Sequence, residues 1–265
     1  MSCALRPDPW GVLAEHTPAR IALGACGSSL PTAEVLKLGV AHAQARDAVH
    51  QPMALASMQQ SLQALGAAVV CVRSMASDRQ TYLRRPDWGR VLSADSVQAL
   101  SGHDAAPCDV VCVVADGLSS TAVQRYAAAL LAVLLPALRQ RGLRTGPVVL
   151  AEQARVALGD PVAQALGAQL VLVLIGERPG LSASDSMGAY LTWNPQPGMA
   201  DAGRNCVSNI RDAGLPVERA AAKLLWLIAQ AWERQLTGID LKDDSDGQPA
   251  LPVSGSASDA ALLDA

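Results

Sequence analysis

Apolar residues in the second half of the chain fall into short unbroken runs separated by longer amphipathic stretches. Three runs have the length and character of buried parallel strands: CDVVCVVAD, GPVVLA and QLVLVLIGE. Helix-length segments follow the first two runs, and a third closes the series: SSTAVQRYAAALLAVLLPALRQRG, ARVALGDPVAQALG and PVERAAAKLLWLIAQAWERQL. This alternation predicts βαβ units in one open sheet, with YLTW and NCVSNI as shorter strands at its edge.

The predicted fold is therefore α/β, a Rossmann-like and mostly parallel sheet flanked by helices. We predict four regions along the chain: an irregular leader (1–20), a helix-rich amino-terminal region (21–106), the Rossmann-like domain (107–240) and an acidic tail (241–265). The tail is rich in Asp, Gly, Pro and Ser. It is predicted to be disordered, because it cannot bury enough apolar surface to offset the cost of ordering it.

The first helix of the amino-terminal region is predicted to begin at Pro31, which suits a first helical turn. Its spacing predicts a buried side made of Val35, Leu36, Val40, Ala43 and Val49. His42, Arg46 and His50 recur every four residues on one flank. That stripe is either a ligand set or a solvated or subunit-facing surface, and we favour the surface. MALASMQQSLQALG predicts a second helix, and AAVVCVRSM a strand after it.

Composition narrows the class of function. The 265 residues carry a net charge of −3 and only 3% aromatic residues, with no Phe, so neither a basic nor a stacking surface for nucleic acid is expected. No apolar run reaches the ~18 residues of a membrane span, and we expect no membrane association. The six cysteines form no Cys-x-x-Cys pair. Reduced, mostly buried thiols in a cytoplasmic protein are the expectation.

Polar and glycine-rich segments follow each predicted strand: ADGLSS, AEQARV and GERPGLS. In open α/β sheets ligands bind beyond the carboxyl ends of the strands, so these segments are predicted to converge on one crevice. The alternative is that they are ordinary helix starts and turns, with Ser119 or Ser120 as an N-cap and Gly176 and Gly180 as turn residues. Glu177 could cap a following helix, pair with Arg178 or accept hydrogen bonds from a ligand.

Common catalytic motifs are absent from the sequence. It contains no Gly-x-x-x-x-Gly-Lys-[Ser/Thr] loop, no His-Glu-x-x-His and no Gly-x-Ser-x-Gly. With four histidines and no clustered carboxylate pair, the chain has little machinery for acid–base catalysis by itself.

A series of motifs resembles the small subunit of ethanolamine ammonia-lyase. In order these are TPARIALG, LPTAEVLKLGVAHAQARDAVH, TYLRRPDWGR, ADGLSSTAV, ARVALGD, LIGERPGLSASDSMGAYLT and RNCVSNIRDAGL, which together span about residues 17–242. LIGERPGL and RNCVSNIR are the most specific. One departure is visible: the family usually has Gly-Arg-Ala-Gly where this chain has Gly-Ala-Cys-Gly from Gly24 to Gly27.

The resemblance implies a lyase that converts ethanolamine to acetaldehyde and ammonia by a radical mechanism with adenosylcobalamin. It implies a hetero-oligomer with a large subunit, a TIM barrel that holds the substrate and the catalytic residues. The small subunit would be inactive alone and would hold the cofactor against that partner, with residues 107–240 as the cobalamin-binding domain. Three cofactor-contacting positions carry over: Val156, Glu177 and Cys206. No catalytic residue and no metal ligand of this chain is implied.

Two other classes of function stay open at this point. One is an autonomous α/β enzyme that binds a nucleotide, and the other is a non-catalytic assembly protein. The expected location is the cytoplasm, and enclosure in a bacterial microcompartment is left open.

Overall fold

A single six-stranded sheet organises the protein. The computed structural model describes residues 5–102 and 107–247. The strands are β1 (Val69–Arg73), β2 (Val110–Ala115), β3 (Thr145–Glu152), β4 (Leu170–Gly176), β5 (Met187–Trp193) and β6 (Asn205–Ile210). Their order across the sheet is β1-β3-β2-β4-β5-β6. The first four in this order are parallel, while β5 is antiparallel to both of its neighbours. The predicted mostly parallel α/β sheet is confirmed.

Helices cover both faces of this sheet. They are α1 (Thr32–His50), α2 (Leu55–Ala64), α3 (Arg79–Arg84), α4 (Ala94–Ser101), α5 (Ser120–Gln140), α6 (Gly159–Ala165) and α7 (Val217–Arg234). One face packs on α2, α5 and α7, and we call it the α5 face. The other packs on α4 and α6, and we call it the α6 face. Side chains of β2 alternate between two apolar cores, so every residue of that strand is buried.

The long helix α5 lies in the core of the α5 face. By length and composition it is apolar enough to cross a membrane. Ten of its residues, from Ser120 to Leu138, are buried within the protein. Beside it, α7 turns Ala221, Leu225 and Ile228 toward the sheet. Burial of this kind is typical of a central helix in an α/β layer.

The sheet begins before the predicted domain boundary at residue 107. Strand β1 comes from the amino-terminal region, yet it pairs in register with β3. At the other end, Leu241 is buried and Lys223 pairs with both Asp243 and Asp246. The start of the predicted tail is therefore structured against α7, while its residues from 248 onward lie outside the described part of the chain.

Helix α1 turns the opposite side toward the core from the one its sequence predicts. Its buried residues are Ala41, Ala45 and Ala48, whereas Val35, Leu36 and Val40 are half or more exposed. The predicted buried side is therefore wrong. Small alanine side chains allow the end of α1 to lie close to α5, and the bulky apolar residues are left facing outward. A hydrophobic pattern reports that a helix has an apolar side, but not which chain covers it.

Candidate functional site

The segments after β2, β3 and β4 meet at the carboxyl edge of the sheet, as predicted. The Leu118 amide donates a hydrogen bond to the Gly176 carbonyl at 2.9 Å. The Asp116 carboxylate accepts hydrogen bonds from the amides of Gln153 (2.9 Å) and Ala154 (3.0 Å). A Cβ on Gly176 would lie 2.7 Å from the Asp116 carbonyl oxygen, so only glycine permits this approach. Ser119 also fills its alternative role as the N-cap of α5.

Asp116 is a buried carboxylate at the centre of this edge. Burial raises its pKa to about 6, although its two backbone hydrogen bonds oppose the shift. Arg79 lies beside it, with Nη1 3.4 Å from the carboxylate and 2.8 Å from the Gly117 carbonyl. Arg79 also donates to the Val49 carbonyl at 2.5 Å, so it joins the end of α1 to the loop after β2. Sequence reasoning assigned no role to either residue.

The motif TYLRRPDWGR holds the loop that carries Val156. The Tyr82 hydroxyl donates to the Ala154 carbonyl at 3.0 Å, and the Arg155 amide donates to the Gly89 carbonyl at 2.8 Å. A Cβ on Gly89 would come within 2.9 Å of both side chains, so the contact needs glycine. Val156 itself is half-buried and packs against the apolar core of the α6 face.

Glu177 follows β4 and is half-buried. Its carboxylate accepts hydrogen bonds from the Ser186 hydroxyl and from the Asn209 amide, the latter at 3.3 Å to each oxygen. The chain after it continues into β5 through a loop with no helix, so the helix-capping alternative for Glu177 is wrong. Asn209 adopts a left-handed conformation (φ +58°), which turns its amide toward the carboxylate. The carboxylate is thus fixed at the junction of β4, β5 and β6.

Cys206 lies on the edge strand β6, directly opposite Tyr190 of β5. The two groups interact, and partial desolvation by the surrounding protein is the main cause that raises the pKa of both. Cys206 therefore remains a thiol at neutral pH. Its side chain is exposed, as is that of Cys71, whereas Cys108 and Cys112 are buried. The expectation of mostly buried thiols is therefore wrong for these two edge-strand cysteines.

Tyr190 connects the candidate residues. Its ring packs against the same α6-face core as Val156, and its environment includes the charge of Glu177 as well as the Cys206 thiol. Gly188 lies beside it, where a Cβ would be 3.1 Å from Glu177 Oε1 and 3.3 Å from Tyr190 Cε2. Val156, Glu177 and Cys206 thus border one face, which we call the open face. The sequence predicted YLTW as a short edge strand, but nothing in the sequence marks its tyrosine as a contact for a ligand.

A buried ion pair fixes the amino end of β6 on this same side of the sheet. Arg204 donates to both oxygens of Asp160 at 2.7 Å, and to Thr192 Oγ1 at 2.9 Å. The side chains of Arg204 and Asp160 have no exposed surface. The pair joins α6 to Thr192 of β5 and to the residue that precedes β6.

The open face offers apolar, thiol and carboxylate contacts rather than a set of catalytic groups. Within residues 5–102 and 107–247 no group of three His, Cys, Asp or Glu side chains could hold a metal ion. A half-buried carboxylate with lone pairs left over can accept hydrogen bonds from amide groups, and the Tyr190 ring and Val156 offer apolar contact. Such a surface suits a large amphipathic ligand that carries its own chemistry.

Comparison with known proteins gives one consistent result. Residues 7–242 match the family model described as ethanolamine ammonia-lyase light chain (EutC). The chain is 50% identical over 242 residues to the ethanolamine ammonia-lyase small subunit of Ralstonia nicotianae, covering 90% of each protein. It is 51% identical over 234 residues to that of Bradyrhizobium diazoefficiens, covering 88% of this chain and 90% of the relative. The match spans the leader, the sheet and the open face together, and the chain therefore belongs to the ethanolamine ammonia-lyase light-chain family.

Proposed function

We propose that this chain is the cofactor-holding small subunit of an adenosylcobalamin-dependent ethanolamine ammonia-lyase. The observation that carries the proposal is the convergence of Val156, Glu177 and Cys206 on the open face. These positions were assigned from motifs in three separate parts of the sequence. Their meeting on one side of the sheet, around Tyr190, is what a shared ligand requires.

The residues of the open face fit the chemistry of the cofactor. A corrin ring is broad and apolar at its faces, and its rim carries amide groups that donate hydrogen bonds. Val156 and Tyr190 would pack against the ring, while Glu177 would accept from a rim amide. Cys206, protonated at neutral pH, would contribute van der Waals contact or a weak hydrogen bond rather than a thiolate ligand to cobalt.

When bound, adenosylcobalamin supplies radical chemistry through homolysis of its cobalt–carbon bond. The work of this chain is to bind and orient. The hydrogen bonds from Ser186 and Asn209 hold the Glu177 carboxylate in place. We propose that the large subunit, a TIM barrel, closes the opposite side of the cofactor and holds the substrate. The isolated chain would then have no activity.

The assembled enzyme would be a hetero-oligomer in the cytoplasm, and its enclosure in a bacterial microcompartment stays open. Coexpression of this chain with an ethanolamine ammonia-lyase large subunit tests the proposal. We expect the two chains to copurify, to take up adenosylcobalamin with a visible corrin absorption band, and to convert ethanolamine. Turnover by the small chain alone, or a complex that binds no corrinoid, would contradict the proposal.

A further inference from the structure

Residues 5–40 include no buried residue. This segment includes the 3-10 helix Gly11–His16 and the first half of α1. Fifteen large hydrophobic side chains are exposed in the described part of the chain, and ten of them lie in this segment: Leu5, Trp10, Val12, Leu13, Ile21, Leu30, Val35, Leu36, Leu38 and Val40. Single exposed apolar residues are ordinary, but a concentration of this kind is typical of an interaction site.

This segment, which we call the amino-terminal surface, buries little apolar side-chain area within its own chain. Fixing the backbone costs roughly 1–2 kcal/mol per residue, and burial of apolar side chains is the main term that offsets it. Here the internal contacts are mostly polar. Arg6 and Ala25 exchange backbone hydrogen bonds at 2.8 and 3.0 Å, and Cys26 and Ser29 do so at 2.8 and 3.1 Å. A cover for these apolar side chains would therefore come from another molecule.

The middle of the amino-terminal surface, and the end of the helix that continues from it, are hydrogen-bonded to segments beside the candidate site. Near its middle, Arg20 Nη2 donates to the Leu181 carbonyl at 2.8 Å, and the Ser182 hydroxyl donates to the Pro18 carbonyl at 3.4 Å. Leu181 and Ser182 belong to the loop that begins with Glu177. At the end of α1, the Gln51 carbonyl accepts from Ser120 at 2.7 Å, at the start of α5. The surface is therefore continuous with the carboxyl edge of the sheet.

We propose that the amino-terminal surface is the docking site for the large subunit of ethanolamine ammonia-lyase. This rests on the proposed function, in which the partner closes the cofactor from the side of the open face. A chain in that position must rest on the surface that surrounds the Glu177 loop. A second copy of this chain has no such reason to cover that edge.

The size and charge of the surface fit a stable subunit contact. Of its 36 residues, 27 are exposed, and a standard interface uses about 20–30 residues on each side. It carries three basic and three acidic residues, so its net charge is zero: Arg6, Asp8, Glu15, Arg20, Glu34 and Lys37. Apolar burial, and not charge attraction, would therefore provide the affinity.

The experiment places charge in the centre of the surface. Leu36 and Val40 are one helical turn apart on α1 and are 64% and 57% exposed. The variant Leu36→Asp/Val40→Asp, coexpressed with the large subunit, should bind it roughly 10- to 100-fold more weakly by titration and size-exclusion chromatography. Ile239→Asp is the matched control. Ile239 is 76% exposed, and its amide donates a hydrogen bond to the Ala202 carbonyl, at the end of the sheet opposite the carboxyl edge. The control variant should bind as the unaltered chain does.

Two further readouts keep the test decisive. Thermal unfolding followed by circular dichroism checks that the variant is folded, and in the unaltered chain the large subunit should slow amide hydrogen exchange over residues 32–40. Absence of this slowing, or unchanged binding by the variant, would overturn the docking site. So would a variant that loses only self-association, which would assign the surface to a second copy. If Glu177→Ala weakens cofactor binding while Leu36→Asp/Val40→Asp assembles normally, the docking site fails and the proposed function stands. If the two unaltered chains never associate, both fail.

Discussion

The two faces of strands β5 and β6 differ in what covers them, although they share one backbone. On the α5 face, Met187, Ala189 and Leu191 are buried beneath α5 and α7, with Val207 beside them. On the α6 face, the intervening positions are Tyr190, Cys206 and the Thr192–Arg204 contact, and Cys206 is exposed. The apolar face stabilises the fold within this chain. The other face is polar and partly open, and it leaves the Cys206 side chain accessible.

The largest expected effect comes from the buried charges that border the open face. Asp160→Ala leaves the Arg204 guanidinium buried without its carboxylate, and we expect unfolding in urea to show a loss of about 3–5 kcal/mol. Leu191→Ala on the covered face creates a cavity and should cost about 2–5 kcal/mol. The double change Asp160→Leu/Arg204→Met removes both charges and should recover most of the first loss. Equal instability of the single and double variants would show that the ion pair is not the cause.

At the carboxyl edge, where the two faces meet, Asp116 should make the stability of the fold depend on pH. The Asp116 pKa of about 6 lies above the ordinary value near 4, so the folded state binds this proton more tightly than the unfolded state. The stabilisation that protonated Asp116 gives the fold is fully present below about pH 4 and is lost as the pH rises through about 6. A difference of about two pKa units corresponds to about 3 kcal/mol.

Asp116→Asn tests this by its pH profile rather than by its stability at one pH. Relative to the unaltered chain, the variant should gain up to about 3 kcal/mol between pH 4 and pH 7 in urea unfolding. Asp109→Asn is the control of opposite sign, because the Arg144 hydrogen bond holds the pKa of Asp109 below its usual range. The ionised Asp109 carboxylate stabilises the fold above the ordinary pKa of an aspartate, and this stabilisation is lost as the pH falls. If the stability of Asp116→Asn and that of the unaltered chain vary with pH in the same way, Asp116 is not the source of the pH dependence.

A smaller effect should separate ligand binding from folding on the open face. If Glu177 accepts a hydrogen bond from the cofactor, Glu177→Ala should weaken adenosylcobalamin binding by the assembled enzyme by about 1–3 kcal/mol. Ethanolamine affinity should change much less. Glu218→Ala removes an exposed carboxylate from the first turn of α7, on the covered side, and should leave both affinities unchanged. Spectroscopic titration of the corrin band measures the cofactor effect, and equal behaviour of the two variants would contradict the role of Glu177.

The sequence predicted the sheet well because continuous apolar runs such as β2 and β4 admit few other structures. It also predicted that the segments after these strands converge, since parallel strands end at one edge. It could not identify Tyr190 or the Asp116–Arg79 contact, because both depend on pairing between distant segments. The side of α1 was wrong for a related reason: periodicity shows that Val35 and Leu36 are apolar, but the close approach to α5 selects the alanines. Val156, Glu177 and Cys206 were assigned through the family resemblance, and their cofactor role stays a prediction.

Chemical protection of Cys206 tests the central claim most directly. Cys206 and Cys71 are both exposed thiols on edge strands of the same sheet, but only Cys206 lies on the open face. Alkylation of each would be followed by mass spectrometry in the assembled two-subunit enzyme, with and without adenosylcobalamin. If this chain holds the cofactor as proposed, saturating cofactor slows the modification of Cys206 and leaves the rate at Cys71 unchanged. An unchanged rate at Cys206, while the corrin band shows that cofactor is bound, would contradict the account.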